Sequence, residues 1–111
     1  FFTSGLADVF ALAKALGIEP RDAASLFEHF NPGATLGARA ERMLGGAFDQ
    51  PSWELAMARK DARLMIEEAA RSDVPLAVLP AIAARMDEMI ARGHGRDDWT
   101  VLGKDALAPR A

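Results

Sequence analysis

The feature that most constrains this chain is its alanine content. Alanine occurs 23 times in 111 residues, whereas Val, Ile and Thr together occur 11 times. Alanine loses no side-chain entropy in a helix and β-branched residues favour strands, so the balance predicts an all-α fold. Half of the residues are hydrophobic and 26% are charged. That composition excludes disorder, and a chain of this length can bury roughly 65% of its unfolded surface around one core. Cysteine is absent, which removes disulfide scaffolds and thiolate metal sites and fits a reducing, cytoplasmic setting. The formal net charge is −3, and arginines are interspersed with acids, so neither nucleic acid nor an anionic membrane surface is an expected partner. No apolar run approaches the roughly 18 residues of a membrane span, and no signal peptide is visible. The chain opens Phe1-Phe2 without an initiator methionine, and is therefore expected to be processed or a piece of something longer.

Helix breakers divide the sequence into about five helices and a short C-terminal one. The first is expected from about Thr3 to Leu16, with Gly17 past its end, where glycine adopts a left-handed conformation at little cost. The second is expected over about Arg21 to Phe30, between Pro20 and Asn31-Pro32-Gly33. The third covers about Leu36 to Gly46. The fourth follows Pro51-Ser52, with Ser52 as its expected N-cap, and runs to about Arg71 before Ser72-Asp73-Val74-Pro75. The fifth runs from about Leu76 to Arg92, with a late start or a kink expected at Pro80. A final short helix is expected from about Asp98 to Gly103, with Asp98 as its cap.

Three-four spacing supports these helices. In the fifth, Leu79, Ile82, Met86 and Ile90 share a face opposite Arg85, Asp87, Glu88 and Arg92. In the third, Leu36, Ala40, Met43 and Ala47 are expected inward, with Arg39 and Arg42 outside. The first helix is apolar nearly all round, with only Asp8 and Lys14 charged. It is either central in the bundle or covered by something absent from the chain. The fourth helix carries two stripes. Leu55, Ala58, Ala62, Met65 and Ala69 form a core seam. Trp53, Met57, Lys60 and Leu64 form a second seam that sets one ammonium among apolar side chains. Either Lys60 extends its head to water over its own apolar stem, or the stripe faces a cleft or another domain, with Lys60 toward an anionic group.

Around this helix the sequence resembles a known family. Phe48-x-x-x-x-Trp53-x-Leu55, Lys60-Asp61 and Leu64 resemble the Phe-x-x-Phe-x-Leu…Lys-Asp-Leu region of the β-hydroxyacid dehydrogenases, the relatives of 3-hydroxyisobutyrate dehydrogenase. Val74-Pro75-Leu76-Ala77-Val78-Leu79-Pro80 is similar to the family's Gly-x-Pro-Leu-Pro run. Gly93-His94-Gly95-Arg96-Asp97-Asp98-Trp99-Thr100-Val101 is similar to its Gly-His-Gly-x-x-Asp-Phe-Ser-Ala segment. Asp8 to Ile18 resembles its Glu-Ala-Leu-x-Leu-Ala-x-x-x-Gly-Leu, with Asp8 where Glu is usual. The resemblance covers about Leu6 to Leu107, with four motifs in order.

The resemblance implies a compact helical array like the C-terminal domain of 6-phosphogluconate dehydrogenase-like enzymes, here a single domain over residues 1–111. A dinucleotide-binding Rossmann domain would precede it, because the family's Gly-x-Gly-x-x-Gly is absent from this chain. So is the catalytic motif Gly-x-x-x-Lys-x-x-Asn-Asn, whose lysine is expected upstream of Phe1. The fragment alone is therefore expected to be inactive. The implied whole is an NAD- or NADP-dependent oxidoreductase acting on a small 3-hydroxyacid or its semialdehyde, with this part closing the cleft and mediating self-association. By the same resemblance Lys60 is the cofactor-side residue, and Trp53 and Asp61 lie on the substrate side. Trp53 replaces a family Phe, enlarging that wall and adding an N–H donor.

Other constellations are weaker. Glu67-Glu68 and Asp87-Glu88 are neighbours along helices and diverge by about 100°, so neither pair shares a proton or a metal. Glu28-His29 offers too few ligands for zinc, and no metal site is expected. His94 between two glycines reads as a loop residue with a hydrogen bond. The alternative to an enzyme part is a non-catalytic helical dimerisation module.

Overall fold

The computed structural model describes residues 1–110. Among them it contains six α-helices and no strand: α1 Phe2–Ala15, α2 Pro20–Ser25, α3 Leu36–Gly45, α4 Leu55–Arg71, α5 Leu79–Met89 and α6 Lys104–Leu107. The all-α expectation holds. The residues group into two units, one of Phe1–Asn31 with Asp61–Ala84, the other of Pro32–Lys60 with the chain from Arg85 onward.

In the first unit, α1 stops as its sequence predicts. Gly17 takes φ +71°. The N–H groups of Ile18 and Gly17 then donate to the carbonyls of Ala13 and Lys14 at 2.8 and 3.2 Å, which satisfies the last turn. Pro20 is the first residue of α2, where its missing N–H costs nothing. The helix is shorter than expected, giving way to a 3-10 turn at Leu26–Glu28. Ser25 Oγ donates to the Asp22 carbonyl at 2.6 Å, a local bond that competes with helix continuation. Leu26, Phe27 and Phe30 beyond it are exposed, so no packing draws the helix onward. The buried apolar residues of this unit are Ala13, Ala62, Ala69 and Ala83, small enough for helices to approach closely. Met65 and Ile82, expected in the core seams, are exposed.

The late start of α5 has a cause that composition does not reveal. Asp8, on α1, accepts hydrogen bonds from the N–H groups of Ala77, Val78 and Leu79 at 2.8–2.9 Å. Pro80 then falls in the first turn, where it is tolerated.

In the second unit, α3 ends at Gly46, which is left-handed at φ +69°. The core is Leu55, Ala58, Met86, Met89 and Val101, with Phe48, Ile90, Trp99 and Leu102 packed against it. After α5 the chain makes a wide turn at Ile90–His94 with Gly93 at φ +94°, then a 3-10 helix at Trp99–Gly103 that leads into α6. Asp105 secures that four-residue helix. It accepts from Arg92 at 2.6 and 3.0 Å and from Arg85 at 2.9 Å.

The expected orientation of α3 holds only for Met43, which is half-buried. Leu36, Ala40 and Ala47 are exposed, while Arg39 and Arg42 are half-buried. Arg39 lies 4.4 Å over the Trp99 ring, and Arg42 Nε lies 3.1 Å from an Asp98 oxygen. A guanidinium with a ring face and a buried carboxylate to meet gains more from turning inward than small alanines gain from burial.

Candidate functional site

The geometry centres on the junction that opens α4. Four N-terminal N–H groups of a helix lack partners within the helix. Here the Gly93–Asp98 loop supplies two acceptors: Leu55 N–H donates to the Asp97 carbonyl at 2.8 Å, and Ala56 N–H to the Gly95 carbonyl at 2.9 Å. The Glu54 carbonyl accepts from Met57 and Ala58. Ser52 is not the N-cap the sequence suggested. Its N–H and hydroxyl both donate to Asp98 Oδ1, at 2.9 and 3.1 Å.

Asp98 is fully buried. Its Oδ1 also accepts from Trp53 N–H at 3.3 Å. Its Oδ2 accepts from Thr100 N–H at 3.1 Å and from the Thr100 hydroxyl, and pairs in charge with Arg42. The expected capping role is therefore present, as one of several. Burial pushes the Asp98 carboxyl up, but the Thr100 hydroxyl and the N–H groups of Thr100, Ser52 and Trp53 outweigh it and hold the group well below the usual carboxylate range. Asp98 N–H and Trp99 N–H complete the junction by donating to the Phe48 and Trp53 carbonyls at 2.7 and 2.9 Å.

This junction carries the aromatic pair. Trp53 and Trp99 meet edge to face with centroids 4.8 Å apart at 70°, a favourable quadrupolar arrangement. Trp99 is covered on one side by Arg39, whereas Trp53 stays 37% exposed. Met57, one turn on, is 44% exposed, and Lys60 is exposed. Trp53 and Lys60 thus lie in the same unit, both open to solvent. Asp61 falls in the other unit and is half-buried. Leu64 is exposed there. A surface hollow on the first unit is lined by Phe10, Lys14, Ile18 and Pro20 among others, and by none of Trp53, Lys60 and Asp61.

His94 has the hydrogen bond expected of it, with Nδ1 2.7 Å from Asp97 Oδ2. Among the described residues no group of three or more metal-ligating side chains converges, and no helix is long and apolar enough to cross a membrane. Sequence reasoning missed Arg39 and Arg42 as inward groups. The three-residue spacing of Arg39 and Arg42, which sets two guanidiniums on one face of α3, was the available signal.

The second unit thus joins a buried carboxylate to an aromatic pair at the start of a helix that carries the exposed Lys60. Comparison with known proteins is specific. Residues 1–106 match the NADPH-dependent reductive aminase-like C-terminal domain family, and the chain belongs to it. No curated protein matches it. Among solved structures it is similar to an imine reductase from Myxococcus stipitatus in complex with NADP+, at TM-score 0.80 and 17% identity, over 90% of this chain and 38% of that one. It is also similar to the V8 variant of a Myxococcus stipitatus imine reductase in complex with NAD+, at TM-score 0.79 and 17% identity, over 90% and 36% of the two chains. At this identity the likeness is one of fold. The chain spans less than two-fifths of either structure.

Proposed function

We propose that this chain is the C-terminal helical domain of a longer NADPH-dependent reductase that converts an imine to an amine. The observation that carries the reading is the family match over residues 1–106. An upstream Rossmann domain would hold most of the cofactor, since this chain has no strand followed by a glycine-rich phosphate loop among its described residues. When bound, NADPH supplies the two electrons of the reduction.

The residues present fit one wall of a dinucleotide cleft. The exposed Lys60 ammonium suits an anionic or polar edge of the cofactor, and Met57 and Trp53 offer apolar surface that excludes water around the reacting carbon. Trp53 is the substrate-side residue. Asp61 is retained there on its sequence motif alone. Self-association through α1, whose Phe2, Leu6, Val9 and Leu16 are exposed, accompanies this reading, as does a cytoplasmic location.

The ordered Lys60-Asp61 and Gly93-to-Thr100 motifs support a second reading, in which the substrate is a small 3-hydroxyacid or its semialdehyde. The protein with its upstream domain is incubated with NADPH and either 1-pyrroline or methylmalonate semialdehyde. NADPH loss with the cyclic imine and not the semialdehyde is the expected result. Turnover of the semialdehyde alone would select the second reading.

A further inference from the structure

Asp98 gathers more donors than a helix cap requires. Its two oxygens take three backbone N–H groups and two hydroxyls, from Ser52, Trp53 and Thr100, and pair with Arg42. A cap of the 3-10 helix needs only the Thr100 N–H. Three of the others, from the Ser52 N–H and hydroxyl and the Trp53 N–H, are made 45 and 46 residues away in sequence, to the segment that carries Trp53. From the opposite direction Trp99 N–H fastens the Trp53 carbonyl. The backbone of Trp53 is thus held at both its N–H and its carbonyl. Its ring abuts Trp99, which also meets the Arg39 guanidinium and packs against the core. A partly exposed indole on a loop ordinarily samples several rotamers, and a backbone fixed on both sides together with the Trp99 contact narrows that choice.

We infer that Asp98 is a positioning residue that locks the partly exposed Trp53 ring as a preformed wall for the substrate. This rests on the proposed reductase reading, in which Trp53 faces the substrate. A wall set before binding lowers the ordering cost of association, so its loosening is read in substrate affinity more than in the chemical step. The carboxylate accepts at every contact, and an amide in its place would turn an N–H₂ toward donors.

The test uses the protein with its upstream domain and the graded variants Ser52→Ala, Thr100→Val and Asp98→Asn, all measured well below their melting temperatures. The expected result is a KM for 1-pyrroline that rises along the series, reaching five- to tenfold in Asp98→Asn, with kcat changed less than twofold. In parallel, acrylamide quenching of Trp53, read as the difference between each variant and the same variant carrying Trp53→Phe so that Trp99 stays in place, increases along the same series. Ser52→Ala and Thr100→Val decide the matter if Asp98→Asn does not fold. Melting temperatures that fall while KM and quenching stay at the parent values would overturn the inference, leaving Asp98 a stabilising group only. If the unaltered protein turns over no imine, the reductase reading fails. The quenching series then still decides whether Asp98 immobilises Trp53, because it needs no turnover.

Discussion

At the scale of single residues, buried or backbone-anchored carboxylates dominate. Asp98 is inaccessible to solvent and meets a guanidinium and several donors. Replacing it by Asn reverses at least one donor–acceptor pairing and strands Arg42, so Asp98→Asn should cost about 2–4 kcal/mol in chemical denaturation. Just past α4, a second aspartate takes a left-handed conformation that its type tolerates less well than glycine. Asp73 ends α4 at φ +52°, with its N–H on the Ala70 carbonyl and the Val74 N–H on the Ala69 carbonyl. Glycine suits that position better, and Asp73→Gly should raise stability by about 0.5–1 kcal/mol in the same assay. The pH dependence follows from the direction of the shifts. Burial raises Asp8 and Asp98, but the hydrogen bonds they accept prevail and leave both below the ordinary value of 3.8. Such groups bind fewer protons folded than unfolded. Their contribution is therefore present above the unfolded value and is lost as pH falls toward the folded one. Unfolding free energy should stay flat for these groups above about pH 5 and decline below it, less steeply in Asp8→Ala.

At the scale of elements, termini were legible where the rule is local. Gly17 announced the end of α1, and Pro80 announced a late start or a kink in α5, because each acts through its own backbone. What stayed illegible was supplied from a distance. Ser52 had the right chemistry for a cap, but the α4 N-terminus is met by carbonyls of a loop about 40 residues downstream. Likewise the N-terminus of α5 is met by Asp8, about 70 residues upstream. No spacing rule reports such pairings. Removing the acceptor should show their worth: Asp8→Ala should cost about 1–2 kcal/mol and speed amide exchange at Ala77 to Leu79 before it affects the end of the helix. The misjudged face of α3 has a related cause. Periodicity ranks residues by polarity, and it could not foresee that Trp99 and Asp98 would await Arg39 and Arg42.

At the scale of the whole molecule, the apolar surface left in view is the main clue to function. Half of the residues are hydrophobic, yet Met57, Leu64 and the α1 residues Phe2, Leu6 and Val9 are exposed. A domain of this composition that buries mostly alanine in one of its units has kept its larger apolar side chains for other surfaces. In the proposed reductase reading, that surface meets the upstream domain and the dinucleotide. Part of this was legible through resemblance, as four motifs in order are similar to those in the helical domain of a nicotinamide-dependent oxidoreductase family. The substrate was not, because in the proposed reading Trp53 and its neighbours supply only one side of the cleft. The central claim is that the exposed face carrying Lys60 forms that side. It is tested most directly by titrating NADPH into the protein with its upstream domain and into its Lys60→Ala variant. Loss of a charge-assisted contact of about 1–2 kcal/mol predicts a dissociation constant roughly tenfold higher in the variant. Equal dissociation constants would contradict the account.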